Sequence, residues 1–219
     1  MTVPVSEIEF LKTILGMKDE QLLNEALPLC KILNVKKGQR LISPGEQQVN
    51  IHLLVDGIFR GYFLDSDGKD ITDCLVVNPG ISLMPSSDLE EISPCTIEAM
   101  TDSFVFRIAI SDFYVLAHRY PAVINLYDKL VLASVNYHRQ LKIMMYQYSA
   151  VQRYHWFLEH YPNVIDRISH KYIASFLNMT PVTLSRLING HIPEAQNENL
   201  VDLFDFQTIC MPQSRIESK

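Results

Sequence analysis

Apolar positions along this chain change period several times, and each change marks a new region. Residues 5–34 read as helical: Ile8, Leu11, Ile14 and Leu15 recur at helical spacing until Gly16 breaks the run. Leu22, Leu23, Ala26 and Leu27 form a second short apolar face, and Pro28 disturbs its end. From Ile32 to about Ile110, short β-type runs alternate with turns. Lys36–Gly38 and Ser43–Glu46 are turn sequences. Ile51 to Val55, then Asp56-Gly57, then Ile58 to Leu64 read as a hairpin. Asp65–Gly68 is the next turn and Ile71 to Val77 the next strand, closed by Asn78-Pro79-Gly80. Thr96 to Ala99 and Phe104 to Ile108 complete the series. Short strands with regular turns predict a small antiparallel β-barrel or jelly roll.

The period returns to helical at Ser111. Ser111 or Asp112 can cap a short helix reaching Arg119, and Pro121 suits the first turn of a longer one. Val123, Ile124, Tyr127, Leu130, Val131, Ser134, Val135, Leu141, Met144 and Met145 give that helix a broad apolar stripe. The stripe either packs on its own β-region or faces a second copy. We expect a parallel, coiled-coil-like homodimer, with Ile124, Tyr127, Leu130, Val131, Leu141 and Met145 in the seam.

Residues 150–190 predict a small helical unit. Val151, Tyr154, Trp156, Phe157, Leu158 and Tyr161 give its first helix an aromatic face suited to a core, and Pro162 terminates it. The stretch ISHKYIASFLNMTPVTLSRLI, Ile168 to Ile188, has the pattern of two short helices joined by a tight turn. Ile173, Ala174 and Leu177 share one face of the first, and Met179 sits in the turn. Thr180 can cap the second helix and Pro181 takes its first position, where a missing N–H costs nothing. Leu184, Leu187 and Ile188 form the buried face of the second. Such a pair is either a core hairpin or a helix-turn-helix offering Thr183, Ser185 and Arg186 to the DNA major groove. Beyond His191, residues Leu200, Val201, Leu203, Phe204 and Phe206 suggest one short docked helix, and Gln207 to Lys219 is expected to be disordered.

At 219 residues and 47% hydrophobic, the chain has a real core and room for one large domain or two small ones. Its net charge of −6 advertises no basic patch; residues 150–219 hold six Lys and Arg against seven Asp and Glu. DNA binding would therefore be weak or strongly salt-dependent. Cys30, Cys74, Cys95 and Cys210 are scattered, with no CxxC and no Cys/His cluster in sequence, so reduced thiols in a cytoplasmic chain and no metal or cofactor are expected. No run approaches 18 apolar residues and no signal segment opens the chain, so no membrane is expected. Residues 32–110 hold one histidine, His52, too few for barrel metal chemistry, so the chain is not expected to be an enzyme.

The order of β-region, long helix and helix-turn-helix resembles the cyclic-AMP receptor and fumarate-nitrate regulator (Crp/Fnr) superfamily of bacterial transcription factors. HKYIASFLNMTPVTLSRL, His170 to Leu187, is the most specific part; it is similar to a short-winged branch common in Bacteroidetes-type bacteria, where KYIASxLGITPxxLSRIR recurs. Pro44–Glu46, Asp56-Gly57 and Asp67 to Lys69 match as well. The resemblance implies an α+β fold in three parts. Residues 1–110 are an effector-type antiparallel β-barrel like a cyclic-nucleotide-binding jelly roll, and 111–148 a dimerisation helix. Residues 149–219 are a helix-turn-helix domain with a reduced or absent wing. It also implies promoter DNA, a homodimer partner and RNA polymerase as partners. Arg186, Thr183, Ser185 and Thr180 would meet bases and phosphates, with His170 and Lys171 on the DNA backbone.

Departures from the family pattern shape the functional expectation. A cyclic phosphate inside a barrel needs a cation and donors. Here the Glu expected after Pro79-Gly80 is Ile81, and the Arg-Ser pair is Ser93-Pro94 or Pro94-Cys95. No Lys or Arg occurs between Lys69 and Arg107, while Asp88, Glu90 and Glu91 are acidic. The effector is therefore expected to be a small neutral or apolar molecule, or none. Residues 1–29 lack the cysteines of iron–sulfur regulators. In the second helix of the pair, the family's Arg, Glu and Arg correspond to Pro181, Val182 and Arg186. The expected function is a sequence-specific DNA-binding transcriptional regulator unresponsive to cyclic AMP. The competing reading is a dimeric sensor or scaffold with a degenerate DNA-binding domain.

Overall fold

The computed structural model of the protein describes residues 5–190. The expected tail helix, the end of the chain and any wing lie outside the described residues. A capped helical turn, α1 (Glu7–Glu9), runs into a π-helical segment at Phe10–Ile14, and α2 (Glu20–Ala26) follows, capped by Asp19. Seven strands come next: β1 (Cys30–Val35), β2 (Arg40–Ile42), β3 (Asn50–Asp56), β4 (Phe59–Leu64), β5 (Asp70–Val76), β6 (Thr96–Ala99) and β7 (Ser103–Ala109). Then come α3 (Ile110–Arg119), α4 (Pro121–Gln147), α5 (Ala150–His160), α6 (His170–Phe176) and α7 (Pro181–Ile188). No described helix is long and apolar enough to cross a membrane.

The strands form two open antiparallel sheets, ordered β1-β7-β3 and β2-β6-β4-β5, and neither closes into the expected barrel. The expected hairpin at Asp56-Gly57 does not form either. β3 pairs with β7 and β4 with β5 and β6, so the turn carries the chain from one sheet to the other. Gly57 has φ +111°, and a Cβ there would lie 2.1 Å from Ser103 Oγ, so only glycine makes this crossing without displacing β7. Asp65–Gly68 does form a hairpin turn, joining β4 to β5.

Val35, Leu54, Phe59, Leu83, Ile97, Ala99 and Val105 fill the space between the sheets. The other face of the three-stranded sheet, with Ile51, Leu53, Phe104, Phe106 and Ile108, packs on Phe10, Leu11, Leu22, Leu23, Phe113 and Val123 from the helices. A sheet buried on both faces explains why β3 and β7 read as near-continuous apolar runs.

Free edges are covered without another strand. Along β3, Leu54 N–H donates to Ile81 O at 2.9 Å and Leu83 N–H to His52 O at 2.8 Å. Along β5, Thr72 N–H donates to Ser175 Oγ at 3.0 Å, and Tyr137 Oη bonds both N and O of Leu75 at 3.2 Å. Side-chain hydroxyls of α6 and α4 thus satisfy the edge that barrel closure would have used.

α3 starts one residue before the expected caps. Ala109 is its N-cap, without a side-chain bond, because the helix leaves β7 directly. α4 begins at Pro121 as expected, but its apolar residues divide into two stripes. Val123, Leu141 and Met144 are buried, and Tyr127, Leu130 and Met145 pack against the same chain. Ile124, Leu132 and Val135 point outward.

His52 faces Arg107 across β3 and β7, and burial drives its pKa down to about 4, with Arg107 adding repulsion. The unfolded imidazole titrates near 6.5. The unfolded chain therefore takes up this proton first, and stability is lost as pH falls from about 6.5 toward 4. Between pH 7 and pH 5 this site should cost about 1–2 kcal/mol. His52→Gln should remove that part of the acid sensitivity in urea denaturation at the two pH values; an unchanged difference would show that His52 is already solvated.

Candidate nucleic-acid interface

The two-helix unit folds as its sequence pattern predicts. Ser169 caps α6, and Ile173, Ala174, Phe176 and Leu177 are buried against Phe157, Tyr161 and Leu184. Asn178 takes φ +48°, the left-handed conformation that turns the chain, and asparagine tolerates it better than a branched residue. Thr180 Oγ1 accepts the N–H of Thr183 at 3.0 Å, and Pro181 follows at the first helical position. Leu184 and Leu187 are buried.

Arg153 braces the turn and was not anticipated from the pattern. Its guanidinium donates to Leu177 O at 2.8 Å, Asn178 O at 3.2 Å and Tyr148 O at 2.8 Å. These carbonyls end α6 and α4, where helix dipoles favour a cation. The only available signal was a lone arginine within an aromatic stripe.

The outer face of α7 carries Pro181, Val182, Ser185, Arg186 and Asn189, all exposed. Arg186 makes no hydrogen bond or ion pair among the described residues, so its guanidinium is open. The other candidates are partly engaged. Thr180 and Thr183 share a 2.9 Å hydroxyl bond within the cap. Ser185 O accepts from Asn189 Nδ2 at 2.8 Å. Lys171 Nζ lies 3.6 Å from Asp70 Oδ1, and His170 is exposed beside it.

α6 docks on β5, and Arg60 of β4 organises the contact. Its buried guanidinium donates from Nε and Nη2 to Glu98 Oε2 at 3.0 and 2.9 Å, and from Nη2 to Asp70 Oδ2 at 3.2 Å. The rings of Tyr62 and Tyr172 stack on it at 4.0 and 3.9 Å. Ser175 closes the contact through Thr72 N–H.

Beneath the helical unit, β5, the Asn78–Met84 segment, α4 and α5 enclose a cavity of about 90 Å³. Leu75, Val77, Ile81, Met84 and Leu130 make it mainly apolar, and no Lys or Arg lines it. Tyr137 and Tyr161 share a 2.8 Å hydroxyl bond at its wall, and burial raises both pKa values.

No protein-family model matches the chain, and no curated protein matches it. Solved structures do. FixK2 from Bradyrhizobium japonicum is similar at 18% identity and TM-score 0.64, over 74% of this chain and 83% of that one. The c-di-GMP responsive global regulator CLP of Xanthomonas campestris is similar at 10% and 0.64, over 79% and 91%. A protein from Eubacterium rectale, described as a regulator of the Crp/Fnr family, is similar at 19% and 0.60, over 79% and 83%. The chain shares its fold with these three proteins. At these identities the likeness speaks of fold alone.

The fold fixes where Arg60 sits, and its burial makes a sharp expectation. Arg60→Met leaves Glu98 beside the tyrosines without a cation and Asp70 with only the exposed Lys171. It should cost about 3–5 kcal/mol in urea denaturation. A loss below about 1 kcal/mol would show that water replaces the guanidinium.

Proposed function

We propose that this protein is a sequence-specific DNA-binding transcriptional regulator of the Crp/Fnr type that acts as a homodimer and does not respond to cyclic AMP. One observation carries the reading: a capped two-helix unit whose second helix exposes Ser185, Asn189 and an open arginine, Arg186, beside Pro181 and Val182. An exposed guanidinium on a groove-sized helix suits bidentate contact with guanine. The organisation that fits is an effector-type region at 1–110, a dimerisation region at 111–148 and a DNA-binding region from 149. The match of His170 to Leu187 to the short-winged branch supports that finer placement.

Dimerisation is assigned to the outward stripe of α4. Ile124, Val131 and Val135 recur along one side with Leu132 beside them, while Leu141, Leu130 and Tyr127 serve the protomer's own core. A parallel pair of α4 helices would bury the outward stripe and set two α7 helices toward one DNA face. Leu132→Glu with Val135→Glu should yield monomers in sedimentation while leaving the circular dichroism spectrum unchanged. A wild-type monomer at micromolar concentration, or a variant that still dimerises, would overturn the assignment.

The cavity beside α4 offers mainly apolar walls and no Lys or Arg, and its His138 is already paired with Asp73, which fits a small apolar or neutral effector better than a cyclic nucleotide. Cyclic AMP and cyclic GMP should bind no tighter than about millimolar by calorimetry.

DNA is the decisive test. A dimer should select a pseudo-palindrome with half-sites about one helical turn apart from a random duplex library at low salt. Arg186→Ala should cost about 1–3 kcal/mol at that site and relax discrimination there. Lys171→Ala should weaken all duplexes alike and lower the salt slope by about one. If no palindrome is enriched and the Arg186 variant behaves as wild type, the chain is the dimeric sensor or scaffold instead. The ion pair of Lys171 with Asp70 and the net acidic charge would suit that role.

A further inference from the structure

Asp73, Cys74 and His138 meet at the junction of β5 and α4, though His138 is 64 positions from Cys74 in sequence. One ligand atom from each lies within 4.8 Å of the others, the only such group of three among the described residues. Adjacent strand residues normally point to opposite faces. Here Gly61 pairs with Cys74 and Tyr62 with Thr72, which leaves Asp73 as the extra residue of a β-bulge. The bulge turns two consecutive side chains, a carboxylate and a thiol, toward α4.

Two neighbours prepare the group. His138 Nδ1 lies 2.9 Å from the carbonyl of Ser134, which can only accept. The Nδ1 proton is therefore held there, while Nε2 donates to Asp73 Oδ2 at 3.2 Å, and that second proton is the one a metal ion would displace. A backbone carbonyl that holds one imidazole nitrogen while the other meets the ion is the usual support of a metal-bound histidine. Across the strand, a Cβ on Gly61 would lie 2.7 Å from Cys74 Sγ, so glycine makes room for the sulfur.

We propose that Asp73, Cys74 and His138 form a binding site for a divalent transition-metal ion of the zinc type. One sulfur, one imidazole nitrogen and one carboxylate oxygen suit such an ion and not calcium or magnesium. Zinc bonds of about 2.0–2.3 Å at tetrahedral angles put ligands roughly 3.5 Å apart, which small rotations of these half-exposed side chains reach. Three protein ligands leave a fourth position to water or a small ligand. Binding would clamp β5 to α4 beside the apolar cavity that Cys74 and His138 also line.

The test is a cobalt(II) titration of the full chain, followed by zinc competition. One cobalt per chain with a thiolate charge-transfer band, displaced by zinc, is expected. Cys74→Ser and His138→Gln, both folded by circular dichroism, should each lose the band, and zinc should raise the Tm of wild type only. No band in the wild-type protein, or a band that survives either variant, overturns the proposal. X-ray absorption of zinc-loaded wild-type protein needs no variant. It should show one sulfur in the shell, and a shell with none or several overturns the site even if a variant fails to fold.

Discussion

The free edge of β5 constrains more of this molecule than any other element. An edge strand presents unpaired N–H and C=O groups that must find partners or water. Here the partners are side chains, Ser175 from α6 and Tyr137 from α4. That choice leaves the four-stranded sheet open. It draws the helix pair against the β-region and brings α4 close enough to enclose the cavity. The Arg60 cluster reinforces the same contact, since its cation neutralises Asp70 on β5 and stacks on Tyr172 of α6.

A consequence is a division of labour between the two short helices. α6 is committed to the protein interior and to β5, and its Lys171 is paired with Asp70. α7 is held at its start by a cap and at its base by Leu184 and Leu187, so its outer face is positioned without being used. Rigid presentation of a few exposed side chains is what groove recognition requires. The same geometry makes the orientation of α7 sensitive to anything that alters β5 or α4.

α4 shows how one helix serves two cores. Its inward stripe completes the chain's own core, reaching from Val123 beneath the first sheet to Met144 beneath α5. A second, outward stripe remains after that demand is met. A sequence pattern can count apolar positions on a helix this long, but it cannot assign each to a neighbour. Leu141 read as a seam residue for this reason, and lies in the chain's own core.

What the sequence by itself determined was local. The turn at Asp65–Gly68, the helix start at Pro121, the cap at Thr180 and the buried face of α7 all follow from interactions within a few residues, which short motifs encode. The two-helix unit was legible because its cap, turn and apolar spacing agree. Only the tertiary structure decided the rest. Whether Asp56-Gly57 closes a hairpin or crosses between sheets depends on Ser103, far along the chain. The role of Arg153 depends on carbonyls at the ends of other helices. The meeting of Asp73, Cys74 and His138 depends on a bulge and on the packing of α4 over β5. Hydrogen-bond partners and pairing register between distant segments leave no trace in spacing, because they are fixed only when the edges and faces of the folded elements compete for each other.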